Sequence, residues 1–96
     1  MNLLPFIKAE LLLTNTDKNH PFRHFFLSTF GKYPETRTVV NRGVTEDLEI
    51  TFFTDSRTPK VEQIKENNKV SALFYHPGKL LQLRLYGQAH IITRRD

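Results

Sequence analysis

The hydrophobic and polar positions divide the chain into a short helical opening, a long β-prone stretch and one internal helix. Leu3, Leu4, Ile7 and Leu11 recur at helical spacing with Lys8 and Glu10 off that face, which predicts a short amphipathic N-terminal helix. Pro5 falls in its first turn, where a missing N–H costs nothing. Asn15 to Pro21 is rich in turn formers and reads as a loop. "FRHFFLSTF" is an aromatic strand closed by "GKYP" as a turn. "TRTVVNR" is a strand ending at Gly43, "GVTED" the hairpin connection, and "LEITFFT" the returning strand with Leu48, Ile50 and Phe52 on one face. "PKVEQIKEN" reads as a short helix that Asn67 and Asn68 terminate. "KVSALFY" is more continuously apolar, hence a more buried strand, and "HPGK" turns the chain into "LLQLRLYGQAHII". In that last strand Leu81, Leu83, Leu85, Ala89 and Ile91 face one way, and Gln82, Arg84, Tyr86, Gln88 and His90 the other. About five strands and one internal helix predict a mainly β domain spanning residues 1–96, an antiparallel, barrel-like sheet with flanking short helices. The closing "TRRD" follows a strand directly, so the open sheet edge calls for cover by another copy or by a continuation of the chain.

Composition narrows the class. A chain of 96 residues holds at most one domain with a small core, and 39% hydrophobic with 25% charged residues is globular. No run approaches the ~20 apolar residues of a membrane span. The opening "MNLLPFIKAELLL" is too charged and too proline-interrupted for a signal-peptide core, so the expected location is the cytoplasm. The lack of cysteine excludes disulfide and thiolate chemistry. A net charge of +4 suits an anionic partner, whether nucleic acid, a phosphorylated cofactor or an acidic surface; it also suits a merely solvated basic surface.

The chemistry concentrates in "TFFTDSRTPKVEQI", Thr51 to Ile64. With Thr58 as N-cap and Pro59 as the first helical residue, Lys60 falls in the first turn, beside the positive end of the helix dipole. Arg57 adds to that field. The arrangement makes sense if an anion sits among Thr58, Lys60 and the free N–H groups of the first turn. The plainer account sends Lys60 and Arg57 into water, where the repulsion is screened. Other chemistry finds little footing. Gly31, Gly43, Gly78 and Gly87 are isolated, so neither a dinucleotide fingerprint nor a P-loop is present, and there is no G-x-S-x-G elbow. His20 and His24 are four apart, but Pro21 and the strand after it argue against a shared metal-ligand face. His76 reads as a turn residue and His90 as solvent-facing.

"RTVVNR", "FFTDSRTPK" and "LQLRLYG", in that order, make the chain resemble the pyridoxamine 5′-phosphate oxidase family, in its branch of FMN-binding proteins, from about Phe22 to Ile92. The resemblance implies a split β-barrel that binds FMN without a covalent bond, as a homodimer with flavin sites at the subunit interface. It gives Arg37, Thr38, Val39, Val40, Asn41 and Arg42 a place along the flavin, Arg37 on the phosphate side and Arg42 toward a substrate phosphate. It places Phe53 and Thr54 against the cofactor, Thr58 and Lys60 in the phosphate cradle, and Gln82 near the ring system. Two departures stand out. The oxidases carry Arg-Lys where this chain has Pro59-Lys60, a loss that Arg57 could partly offset. Family members also continue well past this strand, so the chain is either a fragment, truncated at its C-terminus, or a minimal version.

The functions implied are a flavin-dependent oxidoreductase using FMN, with a small phosphorylated substrate, or a split-barrel module that holds FMN without turnover or has lost it. A small barrel binding single-stranded nucleic acid through its basic surface is the remaining reading.

Overall fold

The computed structural model describes residues 3–92; Met1, Asn2 and the "TRRD" end lie outside the described residues. Helix α1, Leu4–Leu13, opens the chain with Pro5 in its first turn. A 3-10 turn, Pro21–Arg23, leads into β1, His24–Phe30, and β2, Pro34–Val40. The two-residue strands β3, Gly43–Val44, and β4, Ile50–Thr51, follow, then α2, Pro59–Glu66, β5, Lys69–His76, and β6, Leu81–Gln88. The sheet order is β2-β1-β5-β6, all antiparallel, and β3 pairs with β4 in a second small sheet. The two sheets share no ladder among the described residues, which is the split antiparallel barrel with short flanking helices that the resemblance implies. No helix among the described residues is long and apolar enough to cross a membrane.

Alternation sorts the sheet. Phe25 and Leu27 of β1, Val39 of β2, Phe74 of β5 and Leu83 of β6 face the core together with Leu11, Phe22 and Val44. Phe25 stacks on Phe74 at 4.7 Å between ring centres, and Phe22 meets Phe74 at 5.4 Å. From α2, Val61 and Ile64, one turn apart, are buried on one face. β1 and β5 pair only where Phe26–Ser28 meet Leu73–Ser71. Beyond that point they part around an open cavity of about 590 Å³, bordered by Ser28, Phe30, Val70 and Tyr86.

Several local expectations are corrected. Glu10 is buried rather than wet, while Leu3 and Leu4 of the supposed core stripe are exposed. The strand through "TRTVVNR" begins earlier, at Pro34, and stops at Val40. The "LEITFFT" ladder shrinks to Ile50–Thr51, because Leu48 takes a left-handed backbone (φ 62°) and Val44 gives its other hydrogen bonds to the Asn15 side chain. Leu48, Ile50 and Phe52 nonetheless pack together against the core. In β5 only Phe74 is fully buried, and β6 ends at Gln88 rather than running on to Ile92.

Candidate functional site

The junction from β4 to α2 folds back on itself. Thr58 stands at the N-cap in extended conformation and Pro59 is the first helical residue. The Thr58 hydroxyl does not cap the helix. It donates to the Asp55 carbonyl at 2.9 Å, accepts from Lys60 Nζ at 3.3 Å, and lies 3.3 Å from Thr54 Oγ1. The first-turn N–H groups are therefore left without the usual side-chain acceptor. Lys60 curls over the start of its own helix rather than extending away. Burial first, and then the charge of Arg37, hold its ammonium below the ordinary lysine range, with Asp55 opposing. Arg37, on the inward face of β2 opposite Leu27, is anchored by Thr29 Oγ1 at 2.6 Å and the Leu27 carbonyl at 3.4 Å. Two cations from different elements, Arg37 with a long ion pair to Glu35 at 3.4 Å, thus lie near one uncapped helix start.

Arg57 takes no part in this. Its guanidinium closes on Asp55, Nη2 to Oδ2 at 2.7 Å and Nε to Oδ1 at 3.0 Å, and its backbone N–H adds a bond at 2.9 Å. Those bonds lower the Asp55 carboxyl and raise the Arg57 guanidinium. The expectation that Arg57 joins the positive field, or offsets the arginine that Pro59 displaces, is corrected: its charge is already matched.

The other sequence-derived residues fall into separate places. Thr38 is exposed on the outward face of β2 and Val40 is half-buried. Val39 is in the core. Asn41 is buried too: its Nδ2 donates to Thr14 Oγ1 at 2.9 Å and the Phe22 carbonyl at 3.2 Å, and its Oδ1 accepts the Gly43 N–H at 3.0 Å. The side chains of Val39 and Asn41 are thus engaged inside, which leaves their backbone to meet a ligand. Arg42 lies over the Phe53 ring, 5.7 Å from its centre, and Phe53 is 72% exposed. Gln82 is exposed on β6, paired with Tyr75 and separated from β2 by two strands.

A cluster the sequence reading missed lies under α1. Glu10 Oε2 accepts from His20 Nε2 at 2.7 Å, its other oxygen accepts from Lys79, and the His20 and His76 rings meet edge to face at 5.2 Å. Glu10, His20 and His76 have ligand-type atoms within 4.8 Å of one another. The hydrogen bonds oppose a metal there. His20 Nδ1 accepts the Phe22 N–H at 2.9 Å and His76 Nδ1 the Lys79 N–H at 3.2 Å, which places the proton of each neutral ring on Nε2. Glu10 already has Lys79 as its cation.

No curated protein matches the chain. A solved pyridoxamine 5′-phosphate oxidase-related, FMN-binding protein of Nostoc punctiforme is 28% identical, with a TM-score of 0.79. The match covers 100% of this chain and 50% of that one, so the chain spans about half the length of its structural relative. The family model for the FMN-binding domain of pyridoxamine 5′-phosphate oxidase matches residues 6–93, a wider span than the resemblance from Phe22 to Ile92. The chain belongs to the family of pyridoxamine 5′-phosphate oxidase FMN-binding domains.

Proposed function

We propose that this chain binds FMN with the phosphate between Arg37 and Lys60, and that it is the cofactor-holding part of a cytoplasmic flavin-dependent oxidoreductase acting on a small phosphorylated substrate. The observation that carries the reading is the placing of Lys60, curled back onto Thr58, and of Arg37, anchored on Thr29, beside a helix start that has no side-chain cap. A phosphate dianion there turns mutual repulsion into charge-assisted hydrogen bonds, with the Thr54 hydroxyl and the first-turn N–H groups as further donors. The isoalloxazine then runs along the backbone of Thr38 to Asn41 toward Arg42 and Phe53. Bound FMN supplies hydride or two-electron transfer, which needs no acid or base from the chain. Arg42, exposed at the far end, is the group that meets a substrate phosphate. Gln82 reaches the flavin from a second copy of the chain, since within one copy it lies three strand spacings, roughly 14 Å, from β2.

A module that holds FMN without turnover is the second reading, favoured by the engagement of Arg57 with Asp55, which leaves the phosphate two cations.

The test is titration of the purified protein with FMN and with riboflavin. Saturable uptake with clear preference for FMN is expected. Lys60→Ala should weaken FMN binding by about 1.5–3 kcal/mol while leaving riboflavin unaffected. Equal affinity for the two flavins, or an unchanged FMN affinity in Lys60→Ala, would remove the phosphate from this place.

A further inference from the structure

Lys60 and Gln63 are three residues apart and so share one face of α2. Lys60 turns to the cation pair, and Gln63 reaches across to the β1–β2 hairpin. Thr29 Oγ1 accepts from Arg37 Nη1 at 2.6 Å, so its own proton goes to Gln63 Oε1 at 2.5 Å. Arg37 Nη2 lies 3.4 Å from the same Oε1, and Gln63 Nε2 donates to Glu35 Oε2 at 2.5 Å. With donors on one side and a carboxylate on the other, the amide has one satisfied orientation. The chain of bonds runs from guanidinium to hydroxyl to amide to carboxylate.

We infer that Gln63 is a positioning residue for the phosphate site, which aims the Arg37 guanidinium and, by sharing the Glu35 carboxylate, holds Glu35 at the long end of its ion pair with Arg37. Glu35 Oε2 already pairs with Arg37 Nη2, at a long 3.4 Å, and its side chain is about half exposed. Released from Gln63, it is free to shorten that ion pair and compete more strongly with a phosphate for the same donors. The amide occupies that carboxylate and fixes Arg37 from the helix side, while Thr29 fixes it from the sheet side. Gly31 supplies an independent sign that room is kept for this amide. A Cβ at Gly31 would lie 2.6 Å from Gln63 Nε2 and 3.1 Å from its Cδ, and its φ is not in the left-handed region. The neighbouring amide is the nearest group that the absent side chain accommodates, with the Tyr33 carbonyl next at 3.3 Å.

The inference rests on the phosphate reading above, and the experiment separates the two. FMN and riboflavin affinities are measured by flavin fluorescence for the wild-type chain and for Lys60→Ala, Gln63→Leu and Gly31→Ala, with a melting temperature for each. Gln63→Leu removes both hydrogen-bonding ends of the amide; Gly31→Ala leaves the amide intact but displaces it, so the test survives if either variant folds poorly. Both are expected to lose about tenfold in FMN affinity with riboflavin affinity unchanged. If Lys60→Ala loses the preference for FMN and both other variants keep it, Gln63 does not position Arg37, and the phosphate reading stands. A parallel loss of both flavins would make Gln63 merely structural and overturn the inference. A wild-type chain that does not distinguish FMN from riboflavin removes both readings.

Discussion

Glu10 shows what a single residue draws from distant parts of the chain. Its carboxyl is held below the ordinary value, first by the hydrogen bond from Lys79 and then by that from His20, against the opposing effect of burial. A folded-state pKa below the unfolded one contributes stability above the unfolded value, and that contribution is lost as pH falls through the folded pKa. Thermal stability should therefore decline on the acid side of the ordinary glutamate range. Glu10→Gln, which keeps the shape beside His20, His76 and Lys79 but cannot titrate, should flatten that limb in melting curves collected across pH. The local pattern put Glu10 on the wet face because its partners are 10 and 69 residues away in sequence, and nothing near Glu10 announces them. The place of Lys60 at the helix start is legible because its setting is local: a threonine at the N-cap position, a proline and a cation in consecutive positions. Arg57 is equally local, but Asp55, two residues before it, matches its charge, a pairing that a sum of charges does not reveal. Removing the repulsion at Lys60 should also raise the stability of flavin-free Lys60→Ala, by about 0.3–1 kcal/mol at most.

Elements were legible where periodicity and burial agree. In β6 the inward row of Leu81, Leu83 and Leu85 is the one the pattern assigns, whereas the aromatic run of β1 is a strand whose faces its sequence does not mark: Phe26 and Phe30 are exposed and Thr29 is buried. Boundaries failed where tertiary contacts took over from the ladder. After Thr51 the chain leaves β4 so that Phe52 can meet Phe25 at 6.0 Å, and Asn15 of the loop after α1 supplies the hydrogen bonds of Val44. The β5–β6 turn holds a more specific consequence. Leu80 sits there in the left-handed region (φ 50°), 81% exposed, so it bears backbone strain with little burial in return. A left-handed backbone costs a non-glycine residue roughly 1–2 kcal/mol, and asparagine tolerates it better than leucine. Leu80→Asn should therefore raise the denaturant midpoint, with a gain of about 0.5–1 kcal/mol. An unchanged or lower midpoint would mean that Leu80 packs against something outside one copy of the chain.

At the scale of the molecule, the outward face of the four-stranded sheet determines whether one copy is enough. Phe26, Phe30, Tyr75 and Tyr86 are exposed there, from 44% to 76%, with Arg84 and Gln82 on the same face. β2 and β6 are the edges of this sheet, each with one ladder among the described residues. Arg37 points to the inward side and Gln82 to the outward side at the opposite edge, so one copy does not bring them to one flavin. Two copies joined across the outward faces would cover the aromatics, at about 1.5–3 kcal/mol for each large side chain fully buried, and would bring Gln82 of one toward the cofactor of the other. The expectation is a dimer in sedimentation velocity. Tyr86→Glu, which puts a charge into that interface, should shift the protein toward monomer and weaken FMN binding, although Tyr86 is no part of the phosphate cradle. Gln82→Ala should weaken FMN binding while leaving the dimer intact. A wild-type chain that sediments as a monomer and still takes up FMN would place the whole site within one copy. Gln82 would then be a surface residue of β6, and the aromatic face would need a different explanation.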